Sequence, residues 1–175
     1  KGDYQRAMNL LDGVRSVFVG QAKAQNIAYY RAFCSYNMKD YQIASDLFKQ
    51  FIQTYPESSF AEECLYMMGF CDYKASPKPR LDQQVTEKAI REFQLYLSRY
   101  PYSMRKDKVN TYMDEMRDKL SYKAYLSAKN YYLREHYKAA VISLQNCLKD
   151  YPGSKYREEI MYMLFVSKYQ MAVNS

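Results

Sequence analysis

Few residues in this 175-residue chain are of types that catalyse. His136 is the single histidine. A Ser-His-Asp or Cys-His arrangement needs its histidine oriented beside a nucleophile. His136 stands in the short polar stretch Arg134-Glu135-His136-Tyr137, which offers no such partner. The cysteines Cys34, Cys64, Cys71 and Cys147 show no C-x-x-C spacing, which argues against a zinc site or a dithiol redox motif. Each lies in an apolar stretch and is expected to be a small buried residue. Carboxylates occur as Glu62-Glu63, Asp114-Glu115 and Glu158-Glu159, on what read as polar, solvated helix faces. The five glycines are dispersed and form no phosphate-cradling loop. The run Arg105-Lys106-Asp107-Lys108 is too short and mixed for a nucleic-acid patch. No catalytic, cofactor-binding or metal-ligating residue is expected, and no cofactor.

Tyrosine, a residue that binds, is in excess. There are 21 Tyr, with 8 Phe, 10 Met and no Trp. Eight of the Tyr fall in pairs seven apart: Tyr29 and Tyr36, Tyr66 and Tyr73, Tyr125 and Tyr132, Tyr162 and Tyr169. Seven residues are two helical turns, so each pair shares one helix face. Such rows either pack helix on helix or line a trough for an extended peptide, because a Tyr ring has an apolar body and a polar tip. Met67, Met68, Met161 and Met163 stand beside them at helical spacing, which favours a core role. The net charge of +7, spread along the chain, suits an acidic partner or an anionic surface.

The elements that must position these rows are helices. Gly and Pro together make only 10 of 175 residues, so the turn signals of a β-sandwich are missing. No apolar run is long enough to cross a membrane as a helix. Three stretches repeat: Tyr55-Pro56-Glu57-Ser58, Tyr100-Pro101-Tyr102-Ser103 and Tyr151-Pro152-Gly153-Ser154. Ala44, Ala89 and Ala140 each lie 12 residues before the Pro. Apolar residues at helical spacing fill the interval, Pro ends the helix, and Ser is placed to cap the next one. Ala32 and Ala128 stand a further 12 residues upstream of Ala44 and Ala140. Small residues at both places let two helices of a hairpin approach closely. This is the tetratricopeptide pattern, and the fold expected is an all-α solenoid of such hairpins, wound as a right-handed superhelix. Arrays that clamp a peptide carboxylate carry Lys and Asn at the groove positions. Here those positions carry Tyr and Phe.

Departures from the repeat predict two irregularities. Gly69 takes the small position of the next hairpin but precedes Ala89 by 20 residues, so eight are inserted around Ala75-Ser76-Pro77-Lys78-Pro79-Arg80. Two prolines that close make this a loop. Pro101 precedes Ala128 by 27 residues, against 13 from Pro56 to Gly69. The extra length adds about 21 Å of helix at 1.5 Å per residue. Eight helices are predicted, at about 4–19, 22–38, 40–55, 58–74, 85–100, 103–134, 137–151 and 154–172. N-terminal repeats fill 1–74, the insertion loop 75–84, and C-terminal repeats 85–175. Phe165 replaces the last small residue, so looser packing is expected there. Lys1-Gly2-Asp3-Tyr4 resembles the turn inside a hairpin, and Ser175 stands where the next turn is due, so each end is expected to hold half a hairpin.

The order of these features resembles the BamD family, the outer-membrane lipoproteins of the bacterial β-barrel assembly machine. The three Tyr-Pro-x-Ser turns carry the resemblance. So do the insertion Ser76-Pro77-Lys78-Pro79-Arg80-Leu81-Asp82-Gln83 before Thr86-Glu87-Lys88-Ala89-Ile90 and the over-long helix leading into Ala128-Lys129-Asn130-Tyr131-Tyr132-Leu133-Arg134. It spans almost the whole chain. The resemblance implies a non-enzymatic scaffold on the periplasmic face of the outer membrane, held by a lipid anchor outside this chain. It implies contact with the barrel protein BamA and other machine subunits through the C-terminal repeats, and with unfolded outer-membrane proteins through the N-terminal repeats. No nucleic-acid partner is implied. Many members carry Arg nine residues before the last repeated Pro, at the BamA contact. Ser143 stands there, so the contact is expected to involve Arg134, Lys138 and Ser143. The client-peptide groove is expected at Tyr29, Phe33, Tyr36, Tyr66, Phe70 and Tyr73. A different periplasmic adaptor of the same repeat class is the alternative. In an oxidising periplasm Cys34 and Cys71, on successive first helices whose axes pack about 8–10 Å apart, exceed the ~7 Å reach of a disulfide. Free, buried thiols are expected.

Overall fold

The computed structural model describes residues 2–173 and contains, among them, eight α-helices, one short 3-10 helix and no strand. The helices are α1 (Gly2–Arg15), α2 (Lys23–Asn37), α3 (Tyr41–Thr54), α4 (Ala61–Ala75), α5 (Gln84–Arg99), α6 (Lys106–Leu133), α7 (Tyr137–Asp150) and α8 (Arg157–Val173). Each corresponds to a predicted one, and successive helices pack on one another as in a tetratricopeptide-like solenoid. None is long and apolar enough to cross a membrane among the described residues. The chain forms two compact units. One holds the residues up to Pro77 with Asp82–Met113; the other holds Lys78–Leu81 with the residues from Asp114 onward.

The repeated turns are alike at the level of single hydrogen bonds. Tyr55, Tyr100 and Tyr151 end their helices with closely similar backbone angles. Each donates its N–H to the carbonyl four residues back. The Ser N–H then bonds the Tyr carbonyl, and the Ser carbonyl accepts the N–H three residues on, in all three copies. Here the structure departs from expectation. Ser58, Ser103 and Ser154 do not cap at the first helical turn. Their Oγ atoms accept the N–H two residues later, at 3.2–3.3 Å. The regular helices therefore begin at Ala61, Lys106 and Arg157, three residues after each Ser. Within the hairpins, Lys39 and Glu135 adopt positive φ (69° and 60°) and close six-to-one bonds, Asp40 N–H to Ser35 O and His136 N–H to Tyr131 O. Glycine usually fills that left-handed place.

Small residues set the hairpin spacing. Ala32, Ala44, Ala89, Ala128 and Ala140 are wholly buried. At Gly69 a Cβ would stand 2.9 Å from Phe93 Cδ1. In the first unit α4 is buried on almost every side, as its apolar composition requires. Phe93 and Tyr96 from α5 pack against its Tyr66, and Phe48 and Phe51 from α3, equally buried, meet Phe33 and Tyr29 of α2. Each contributes about 1.5–3 kcal/mol by burial. The second unit has its own core in Tyr125, Ala128, Ala140, Leu144, Cys147, Ile160 and Met163. Met67, Met68 and Met163 are buried, as their spacing suggests, whereas Met161 and Phe165 are exposed. The predicted helix over 4–19 stops at Arg15 and yields to a 3-10 turn, Ser16–Phe18, ahead of Gly20 at φ 79°. The loop after α4 is as predicted. The four thiols are free and buried, and burial pushes Cys64 and Cys71 up to about 12.

A buried polar knot crosses α3, α4 and α5. Lys88 Nζ lies 2.9 Å from Asp72 Oδ2, 3.6 Å from Glu92 Oε1 and 4.0 Å from Asp46 Oδ1, and donates to Ser45 Oγ. Asp72 and Glu92 are almost solvent-free. Burial, then the bond to and charge of Asp72, push Glu92 up to about 8 against the pull of Lys88.

Two outcomes follow from this packing. Gly69→Ala should lower stability by about 1–3 kcal/mol in denaturant unfolding, because wholly buried Phe93 has no room to yield. An increase, as alanine's better helix propensity alone would give, refutes that spacing argument. Glu92 has a folded pKa raised above its unfolded one, so its contribution is complete below the ordinary carboxylate range and fades as pH climbs to about 8. The thermal midpoint should fall across that window, and Glu92→Gln should flatten the fall.

Candidate functional site

Tyr29, Phe33 and Tyr36 rise from α2 at positions i, i+4 and i+7, and Tyr66, Phe70 and Tyr73 from α4 in the same pattern. That spacing gathers each trio on one helix face. The structure brings all six into one chain of ring contacts. Tyr29 meets Phe33 at 4.6 Å between ring centres, Phe33 meets Tyr36 at 6.4 Å, and Tyr36 meets Phe70 at 6.2 Å. Phe70 stacks on Tyr66 at 5.7 Å and on Tyr73 at 5.9 Å. Tyr66 is buried, and the other five are half-buried, each keeping part of its ring in water. The Tyr rows therefore pack against neighbours and present a surface at once.

Tyr112 on α6 is a member that sequence reasoning missed. It stacks on Tyr73 at 4.5 Å and lies 5.4 Å from Phe70. Its signal was available. Tyr112 stands eleven residues after Pro101, as Met67 does after Pro56 and Met163 after Pro152. Counting back from Ala128 instead hides it. Cations rim the stripe: Lys74 lies 5.2 Å from the Phe70 ring centre, Arg105 4.9 Å from that of Tyr66, and Lys108 6.0 Å from that of Tyr112. Such contacts hold positive charge beside aromatic faces.

The paired carboxylates correct another expectation. Glu62 and Glu63 are half-buried acceptors, not merely solvated groups. Tyr29 OH donates to Glu63 Oε2 at 2.7 Å, and Arg105 pairs with Glu63 at 3.5 Å. Tyr96 OH and Ser103 Oγ both donate to Glu62 Oε1, at 2.9 and 2.7 Å. In the second unit Tyr125 OH donates to Glu159 Oε2 at 2.7 Å, with Lys129 completing the cluster at 2.8 Å. Tyr29 and Tyr125 hold equivalent places, and each reaches a carboxylate 34 residues on, one repeat length. Burial and the carboxylate bond both raise these phenols above their ordinary range. Glu158, Asp114 and Glu115 are exposed, as expected.

The second unit does not continue the stripe in the same form. Tyr125 is buried and Tyr132 half-buried, while Tyr162 and Tyr169 are exposed. Tyr125 stacks instead on Tyr156, at 4.4 Å. Of the residues expected to face a partner there, Arg134 and Lys138 are exposed on either side of the α6–α7 turn. Ser143 is half-buried on α7. Lys138 lines an open depression with Glu135, His136, Tyr137, Gln170 and Met171. His136 takes the turn position expected of it, before the first residue of α7. No group of three or more metal-ligating side chains occurs among the described residues.

Comparison with known proteins agrees with this architecture. The family model described as outer membrane lipoprotein, YfiO, matches residues 1–175. The outer membrane protein assembly factor BamD of Pasteurella multocida (strain Pm70) is 25% identical over 183 aligned positions, which cover 99% of this chain and 70% of that protein. The resemblance carried by the Tyr-Pro-x-Ser turns, the inserted loop and the long helix is thereby borne out. With the whole of its length matched, the chain belongs to this family of outer-membrane lipoproteins, whose place is the periplasmic side of the outer membrane.

Proposed function

We propose that the chain is a non-enzymatic assembly factor for outer-membrane β-barrel proteins. The observation that carries this is the stripe of seven touching rings from Tyr29 to Tyr112, part-exposed and rimmed by Lys74, Arg105 and Lys108. The chain that carries it belongs to a family of outer-membrane lipoproteins, and a relative is named an assembly factor. Rigid rings give an incoming strand large contact area at little entropic cost, and the hydroxyls serve its unpaired backbone groups. Barrel strands alternate apolar and polar side chains and carry aromatic girdles. An unfolded client segment of that kind matches the stripe in chemistry. The second unit, with Arg134, Lys138 and Ser143 around the start of α7, is the surface proposed for the periplasmic domains of a BamA-type barrel protein.

Replacing Tyr36 and Tyr73 by Ala should weaken binding of a barrel-strand peptide roughly tenfold, the scale of losing one or two aromatic anchors, while helical circular dichroism is retained. Unchanged affinity in the folded variant would refute the groove. Capture of the native complex from detergent-solubilised membranes should recover a BamA-type protein in stoichiometric amount, and Arg134→Glu with Lys138→Glu should reduce that recovery. Recovery of soluble periplasmic proteins alone would favour a more general adaptor.

A further inference from the structure

The three repeated turns share a backbone but not a surface. After each Pro, two residues flank the Ser: Glu57 and Ser59, Tyr102 and Met104, Gly153 and Lys155. The first and last turns place charged, polar or small residues there. The middle one carries Tyr102 and Met104, whose relative exposures are 97% and 102%. No hairpin geometry demands apolar side chains at these places, since the same hydrogen bonds form with Glu, Ser, Gly and Lys.

The charge around the middle turn differs as well. Residues 99–108 hold four cations, Arg99, Arg105, Lys106 and Lys108, against the single carboxylate Asp107. Residues 54–63 hold Glu57, Glu62 and Glu63 and no cation, and residues 150–159 hold three carboxylates against two cations. On α5, Arg91, Leu95 and Arg99 follow at four-residue intervals, all exposed, and lead along one face toward the turn. Arg105 is engaged with Glu63 and the Tyr66 ring, and Arg99 donates to the Pro56 carbonyl at 3.0 Å and lies over the Tyr100 ring, but Arg91 and Lys106 stand in solvent.

We infer that the Tyr102–Met104 turn is a lipid-contacting knob that inserts between the headgroups of an anionic bilayer surface, with Arg91 and Lys106 pairing the phosphates. Tyr favours the interfacial zone, where its ring is apolar and its hydroxyl wet. Cations near an anionic leaflet add attraction that salt screens. Two inserted side chains are a weak anchor alone, and stable attachment of a lipidated protein takes a second signal. In a family of outer-membrane lipoproteins this turn supplies such a signal.

The absence of Trp makes a direct test available. Tyr102→Trp gives the chain one indole at the knob, and Glu57→Trp gives one at the equivalent place in the first turn. With vesicles of phosphatidylglycerol and phosphatidylethanolamine at low salt, Tyr102→Trp should shift to the blue and be quenched by brominated acyl chains. Glu57→Trp should do neither. In the Trp-free chain, Tyr102→Ser with Met104→Ser should lower vesicle co-flotation roughly tenfold, and added salt should weaken that of the parent. Emission of Tyr102→Trp unmoved by these vesicles, equal quenching of Glu57→Trp, or undiminished flotation of the double variant would each overturn the inference. So would a blue shift that appears only when the solubilised barrel-assembly complex is added, which would make the knob a protein contact.

Discussion

The close approach of paired helices at wholly buried small residues is the constraint on which the other features rest. Ala32 and Ala44 are wholly buried, and at Gly69 even one added carbon would press on the Phe93 ring. That spacing lets large residues at the flanking positions interlock, so Phe48, Phe51, Phe93 and Tyr96 reach full burial between the helices. Dense interiors transmit position faithfully. The aromatic stripe is a consequence: its rings are fixed from behind by packing and remain available in front.

Polar groups then join one repeat to the next. Tyr29 with Glu63 and Tyr125 with Glu159 show that a phenol and a carboxylate one repeat apart form a recurring clasp. The Glu62, Tyr96 and Ser103 cluster fastens the middle Tyr-Pro turn to α4 in a different way. Such clasps are directional where apolar contact is not, and they set how one hairpin is seated on its neighbour within each unit.

Much of the architecture was legible in the chain because proline and small residues punctuate it at fixed distances. The inserted loop and the 28-residue α6 follow from counting between those marks. What escaped depends on three-dimensional closure. The helix starts shift by three residues because a turn closed on the Ser hydroxyl and carbonyl comes between each Ser and the first helical residue. Lys88 and Glu92 stand four residues apart on α5, and nothing in that spacing shows that α4 brings Asp72 against them. Tyr112 belongs to the stripe because the first half of α6 keeps the register of Pro101, while its second half keeps that of Ala128. The six expected groove residues were legible as a face. Their contact with one another was not, since it arises between helices.

The buried thiols bear on how the chain reaches this state. A protein exported to an oxidising compartment arrives unfolded, with Cys34, Cys64, Cys71 and Cys147 all open to oxidation. Four cysteines allow three complete pairings, and the native arrangement contains none of them. Any bridge formed early would be one that the native arrangement lacks. Maturation is thus a race between collapse and oxidant. An array whose contacts run mainly between neighbouring helices favours collapse, because local contacts form fast. Once the helices close, the sulfur atoms leave redox chemistry, and the fold is its own protection against cross-linking.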